Sequence, residues 1–146
     1  MKIKISILTI FFVLISTYSK SGTIKLFISN IDDKKGTIHY AIYNNPELFP
    51  KERGKILGGY ETVTEVMKNG LIIKGLNESV YAIAIYHDIN LNKKFDTFLS
   101  MPLEKYGFSN NAKVFLGPPK FDEASFFLGD DDIVELVIDL KWRKEL

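Results

Sequence analysis

The sequence of 146 residues contains no cysteine. No disulfide can therefore form, and neither a cysteine nucleophile nor a lipid-bearing cysteine is available. Only two histidines are present, His39 and His87, and they lack the short spacing of a zinc site. Two separate strand residues, either packed or exposed, explain them better than a zinc pair. The chain also lacks a Gly-x-Ser-x-Gly elbow and a glycine-rich phosphate loop, so no nucleophilic or phosphate chemistry is indicated.

An excess of basic charge is missing as well. Removing Lys2, Lys4 and Lys20 with an N-terminal leader leaves 16 basic against 18 acidic residues, a net charge of −2. The two signs are interspersed along the chain, whereas nucleic-acid binders carry a basic face. A nucleic-acid partner is therefore not expected.

The N-terminus has the layout of a signal peptide. Lys2 and Lys4 precede an apolar run over residues 5–15, which is about half the ~20 residues that a spanning helix needs. Small residues follow, and cleavage is expected near Ser19 or Ser21. An uncleaved anchor or a buried first strand is the alternative. The sequence thus predicts a signal peptide over 1–21 and one periplasmic or secreted domain over 22–146, with no membrane association after cleavage.

Period-two alternation of apolar residues dominates the mature chain and predicts strands. The Asn, Asp and Gly residues of 30–36 predict a hairpin between the first two strands, and Asn69-Gly70 predicts another hairpin. The strand over 80–87 has apolar residues on both faces, which indicates a central strand. The predicted strands cover 24–28, 38–42, 60–67, 71–76, 80–87, 125–128 and 133–142.

About seven short strands without a convincing amphipathic helix predict an all-β fold, an antiparallel β-sandwich with one long irregular loop. A closed sheet is the structural alternative. The irregular loop runs from Asp88 to about Lys120 and is rich in Asn, Pro and Gly. A loop of that length is expected to be functional or to be held in place locally.

The start of this loop has side-chain oxygens at the spacing of a calcium site. Ca²⁺ prefers six to eight oxygen ligands from alternate residues of a curled loop. Here Lys93 stands where such loops have glycine, and Leu99 stands where they have a bidentate Glu. The alternative is an Asx-rich turn that needs no ion. The candidate calcium ligands are Asp88, Asn90, Asn92, the carbonyl of Lys94, and Asp96.

Aromatic and amide side chains in the irregular region are candidates for ligand contact or for packing of the loop. Rings can serve as a stacking platform, but long loops also need apolar anchors, and the second role is favoured. The candidate residues are His87, Tyr106, Phe108, Asn110, Asn111 and Phe121.

Three segments carry a resemblance to a known family. They are Ala84-Ile85-Tyr86-His87-Asp88 with the Asn/Asp loop, Tyr106-Gly107-Phe108-Ser109-Asn110-Asn111-Ala112, and Gly117-Pro118-Pro119-x-Phe121. In this order they resemble the bacterial domain-of-unknown-function family numbered 2141. The resemblance implies an exported, immunoglobulin-like or prealbumin-like sandwich and implies no activity.

Two functions follow as expectations. The first is a non-catalytic binding or structural module of the cell envelope, with a calcium-stabilised loop, that binds a protein, peptide or glycan. The alternative is a metal- or water-assisted hydrolase that uses Asp88, Asp96 and His87, and it requires these three side chains to converge.

Overall fold

The computed structural model describes residues 20–142. The strands are β1 Gly22–Ser29, β2 Thr37–Tyr43, β3 Leu57–Thr62, β4 Leu71–Leu76, β5 Ser79–Asp88, β6 Thr97–Phe98, β7 Met101–Pro102, β8 Tyr106–Phe108, β9 Phe126–Leu128 and β10 Ile133–Asp139. The α-helices are α1 Val63–Asn69 and α2 Phe121–Ala124, and single 3₁₀ turns occupy Glu52–Gly54 and Ser109–Asn111. The predicted signal peptide lies outside the described residues except for Lys20 and Ser21.

Two sheets form the body of the described chain. Sheet A has the order β10-β1-β4, and sheet B has the order β3-β2-β5-β8, with β9 pairing to the start of β5. The β1–β10 pair is parallel, and the other strand pairs are antiparallel. Short strands β6 and β7 form a separate two-stranded ribbon.

The core lies between the two sheets. Ile24 and Leu26 of β1 alternate with outward polar residues, and they meet Ile83 and Ile85 of β5 in one buried cluster. Burial of each such side chain contributes about 1.5–3 kcal/mol, which makes this cluster the main source of stability. The predicted all-β sandwich is therefore confirmed, while its finer likeness to immunoglobulin or prealbumin folds stays a prediction.

The prediction of a central strand over 80–87 is confirmed by β5, which pairs with β2 on one side and with β8 and β9 on the other. Tyr81 and Ile83 point into the core between the sheets. Ala82 and Ala84 point the other way, toward a second cluster that is rich in aromatic rings. Sheet B is thus covered on both faces, and the outer face is the one that the irregular loop reaches.

The predicted hairpin between the first two strands is wrong. β1 lies in sheet A and β2 in sheet B, so residues 30–36 cross from one sheet to the other. Asn30 and Gly36 do adopt the left-handed backbone expected of turn residues, with φ of 62° and 84°. Turn chemistry specifies that the chain reverses, but it does not specify which strand becomes the hydrogen-bonded partner.

The second predicted hairpin is also wrong, because the predicted strand over 60–67 ends at Thr62. The Thr62 hydroxyl accepts a hydrogen bond from the Glu65 amide at 3.3 Å and caps helix α1, which buries Val63 and Val66. Gly70, with φ of 69°, ends that helix by donating its N–H to the Val66 carbonyl. The Asn-Gly pair therefore marks a helix end, because the N-terminal cap outweighs the β propensity of the segment.

The strand predictions over 24–28, 38–42 and 71–76 are confirmed by β1, β2 and β4, and those over 125–128 and 133–142 by β9 and β10, although β10 ends at Asp139. Between β5 and α2 the chain is irregular as expected, apart from short β6, β7 and β8 and the 3₁₀ turn at Ser109–Asn111. Neither helix within residues 20–142 is long and apolar enough to cross a membrane.

Candidate functional site

An open groove with a volume of about 780 Å³ lies on the outer face of sheet B. Strand register explains its floor: Ala41 of β2 stands directly between Gly58 of β3 and Ala84 of β5. Three small residues in one row across three strands leave a trench of about 10 Å, since neighbouring strands lie ~4.8 Å apart. Phe108 of β8 is the next residue in this row and closes its inner end. We call this feature the outer groove.

One wall of the outer groove is a stack of three rings in the adjacent row. His39 lies between Tyr60 and Tyr86, its partners on the two neighbouring strands. The ring centroids are 5.0 Å and 4.7 Å apart, and the ring planes are within 22° and 19° of parallel. Stacked cross-strand rings stabilise a sheet and hold one another in a single orientation. The wall is therefore preformed.

Further rings continue from this wall into the irregular loop. The ring centroid of Phe95 lies 5.3 Å from that of Tyr86 and 5.7 Å from that of Tyr106. The ring centroids of Tyr106 and Phe108 are 6.0 Å apart. Phe121 belongs to the same buried cluster through Phe49, 5.8 Å away. The rings of Tyr106, Phe108 and Phe121 thus pack the loop onto sheet B. Tyr106 and Phe108 also line the outer groove.

Asp88 is completely buried at the end of β5 and fixes the state of His39. His39 Nε2 lies 3.3 Å from Asp88 Oδ2 and 3.1 Å from Thr37 Oγ1. Burial lowers the pKa of His39 more than Asp88 raises it, so the ring is neutral at pH 7. A carboxylate can only accept, so Nε2 carries the proton and Nδ1 is left as an acceptor. This pair was missed in the sequence because its members are far apart in the chain.

His87 does not join this pair. It is the neighbour of Asp88 on β5 and therefore points to the opposite face, where its Nε2 lies 2.7 Å from the Lys35 carbonyl oxygen. The structure accordingly does not bring His87 together with Asp88 and Asp96, nor with His39. Within residues 20–142, no group of three or more acidic, His or Cys side chains is arranged to hold a metal ion.

The candidate calcium loop begins with hydrogen bonds from the backbone to Asp88. The amides of Asn92 and Lys93 donate to Oδ1 and Oδ2 of Asp88 at 3.2 Å and 2.8 Å. Lys93 has a φ of 61°, the left-handed conformation for which the calcium spacing calls for glycine. The loop therefore curls as the spacing predicts, although the residue at its tightest point is a lysine.

The far end of that loop is held by two side-chain amides. Asn90 donates to Asp96 Oδ2 at 2.7 Å, and Asn92 donates to both oxygens of Asp96 at 2.9 Å. These bonds lower the pKa of the exposed Asp96 carboxyl. The amide oxygens accept backbone N–H groups instead. This arrangement does not fit calcium as it stands, because both amides would have to turn over to offer oxygen to an ion.

The two asparagines of the Tyr106–Ala112 segment fasten the loop elsewhere. Asn110 donates to the Ser125 carbonyl at 2.7 Å. Asn111 accepts from the Asp139 amide at 2.8 Å and donates to the Val137 carbonyl at 3.3 Å. Both have positive φ, which Asn tolerates better than most residues. Among the candidate ligand residues, these two serve loop packing and hold the irregular region against β10.

Glu104 is a buried acid that the sequence analysis did not single out. It is 5% exposed; its Oε2 accepts the Asp96 amide at 3.1 Å, and its Oε1 has no hydrogen-bond partner among the described residues. Burial, and then the charges of Asp96 and Asp88, raise the pKa of Glu104 to about 7. A buried carboxylate oxygen without a donor is costly, which is why the neutral acid is favoured here.

The raised pKa of Glu104 makes stability depend on pH. The protonated form is favoured in the folded state, so this contribution is complete below pH 4.5 and is lost as pH rises through 7. Relative to Glu104→Gln, the wild-type protein should lose on the order of 2 kcal/mol of unfolding free energy between pH 5 and pH 8. Urea unfolding at both pH values measures this difference. Exposed Glu78→Gln is the control, and parallel pH profiles for Glu104→Gln and wild type would contradict the prediction.

The comparisons with known proteins bear mainly on the family. Residues 27–135 match the model of the family described as "Uncharacterized protein conserved in bacteria (DUF2141)". The chain is also similar to the CTP synthase of Sulfolobus acidocaldarius, with 36% identity over 58 residues, which is 40% of this chain but only 11% of that enzyme. No solved structure matches the chain significantly. Because the family model covers most of the chain, the protein belongs to this bacterial DUF2141 family, as its sequence motifs indicated.

Proposed function

We propose that the protein is an exported, non-catalytic binding module whose ligand site is the outer groove. The observation that carries the proposal is the trench of Gly58, Ala41 and Ala84 beside a preformed wall of stacked rings. Its volume lies within the roughly 300–1,000 Å³ that is usual for small-molecule sites. Large rings beside a floor of small residues form a slot that suits a flat group.

The walls of the groove suit binding because they are already ordered. Tyr43, on the side opposite the ring stack, is 2% exposed and donates its hydroxyl to the Pro50 carbonyl at 3.0 Å. Burial raises the pKa of Tyr43 and of Tyr86 to about 12, so both rings stay uncharged at any physiological pH. A ligand that meets fixed walls loses less free energy to ordering of the protein.

Export is supported by the N-terminal sequence rather than by the fold. Lys2 and Lys4, the apolar residues 5–15 and the small residues after them follow the order of a signal peptide. We place the mature protein in the periplasm or outside the cell, where its partner would be an envelope component.

Export predicts a defined N-terminus for the mature protein. In a Gram-negative host, the chain recovered from the periplasm should begin at Lys20 or Gly22, as read by intact mass spectrometry. A charge within the apolar run, Leu8→Asp, should leave full-length precursor in the cytoplasm. Full-length chain in the cytoplasm for both the wild type and Leu8→Asp would refute export, but it would not bear on whether the outer groove binds a ligand.

The groove predicts binding of a neutral flat ligand. N-phenyl-1-naphthylamine, an uncharged probe that fluoresces in apolar sites, should bind the wild-type protein at micromolar concentration. Ala84→Leu, which fills the floor, should weaken binding by about tenfold or more, corresponding to ~1.4 kcal/mol. Val80→Leu on the same strand, remote from the trench, is the matched control. Unchanged binding in a folded Ala84→Leu protein would rule out the groove as the site.

Calcium belongs to the proposal as a stabiliser of the loop rather than as part of the groove. Its support is the oxygen spacing of residues 88–96 and the two carboxylates of Asp88 and Asp96. Because the side-chain N–H groups of Asn90 and Asn92 face Asp96, both amides must turn over when the ion binds. Millimolar Ca²⁺ should raise the Tm by a few degrees, and Asp96→Asn should abolish the rise. A Tm that ignores calcium would leave the loop as an Asx turn held by Asn90 and Asn92.

A hydrolytic function is not part of the proposal, because its three predicted residues do not converge. The pair that a hydrolase could use is His39 with Asp88. The described residues that line the outer groove beside this pair include no Ser or Cys nucleophile.

A further inference from the structure

Two lysines lie at one end of the outer groove. Lys93 Nζ lies 5.1 Å from the centroid of the Tyr60 ring, at the β3 end of the ring stack. Lys55 lies at the same end, because a Cβ on Gly58 would meet its side-chain carbons at 3.2 Å and 3.4 Å. The opposite end of the trench is closed by the buried ring of Phe108. The groove therefore has a cationic mouth and an apolar interior.

The cationic mouth is only partly neutralised. Lys55 forms an ion pair with Glu52, whereas Lys93 and Lys94 form no ion pair with the residues that the structure describes. Asp88, the acid beneath His39, is wholly buried and already accepts two backbone N–H groups. Its charge acts on the wall of rings, where it opposes the lowering of the His39 pKa and adds to the raising of the Tyr86 pKa. Among the described residues that line the groove, three lysines (Lys55, Lys93 and Lys94) therefore stand against one acid, Glu52.

Lys93 is held in place by its position in the loop. Its backbone N–H donates to Asp88 Oδ2 at 2.8 Å, and its ammonium group lies over the Tyr60 ring. A cation over an aromatic face is weakly hydrated on that side and remains able to donate to an anion. His39, two residues along β2 from Ala41, is close enough to Lys55 and Lys93 that both cations lower its pKa. The pKa of His39 therefore depends on the charge at the mouth.

We propose that the outer groove binds an organic anion with a flat apolar ring system, the ring lying over Ala41 and Ala84 and the acidic group meeting Lys93 and Lys55 at the β3 end. This inference rests on the proposed function and adds the chemistry and orientation of the ligand. A neutral ligand of the same shape would fill the trench but leave the cations of the mouth unpaired.

The test uses two probes that differ by one sulfonate: 8-anilinonaphthalene-1-sulfonate and its uncharged parent, N-phenyl-1-naphthylamine. Lys93→Gln keeps the backbone contact to Asp88 and removes the cation. The substitution should weaken binding of the sulfonate probe by about tenfold, because one charge-assisted contact is lost. The affinity for the neutral probe should stay within about twofold of the wild-type value. Lys25→Gln, on sheet A and paired with Glu135, is the matched control and should change neither.

A second readout is the titration of His39 by NMR, for which the only other histidine signal is that of His87. The sulfonate probe should raise the pKa of His39 by partly offsetting Lys55 and Lys93, and the neutral probe should not. Equal effects of Lys93→Gln on both probes, or no shift of His39, would overturn the anionic ligand while leaving the groove intact. Binding of neither probe to the wild-type protein would instead overturn the proposed function itself.

Discussion

The buried carboxylate of Asp88 is the contact on which the rest of the outer face depends. It ends the central strand of sheet B. Its oxygens accept a hydrogen bond from the His39 ring on one side and hydrogen bonds from two backbone amides of the following loop on the other. One acid thus sets both the tautomer of His39 in the ring stack and the curl of the irregular loop. Removing it would leave the Lys93 amide without its acceptor, while the His39 ring and the Asn92 amide would keep only Thr37 Oγ1 and Asn90 Oδ1.

The outer groove shows how a sandwich can build a site without any long element. Its floor exists because small residues of three strands fall into one register row, and its wall exists because aromatic residues fall into the next. The strands that supply these rows are held from beneath by the core between the sheets. The site is therefore rigid because its strands pack on the most buried part of the fold, whereas the cations at its mouth come from connecting segments.

The sequence predicted those features that depend on local pattern. The nearly continuous apolar run around Ile83 identified β5 and its two packed faces, because a strand that is apolar on both faces lacks outward polar residues. The sequence did not predict the sheet partner of β1, the helix after Thr62, or the contact between His39 and Asp88. Each of these depends on which distant segments meet, or on a cap that competes with β propensity, and composition records neither. Glu104 escaped notice because burial of an acid leaves no mark in the sequence.

Strand β1 lies between β4 and β10, and its pairing with β10 joins residues 110 positions apart. Closing so long a loop carries a substantial entropic cost before any contact offsets it, and pairings of this kind make folding slow. A chain that emerges N-terminus first cannot complete sheet A until its last strand has appeared. Until then one backbone edge of β1 has no hydrogen-bonding partner strand.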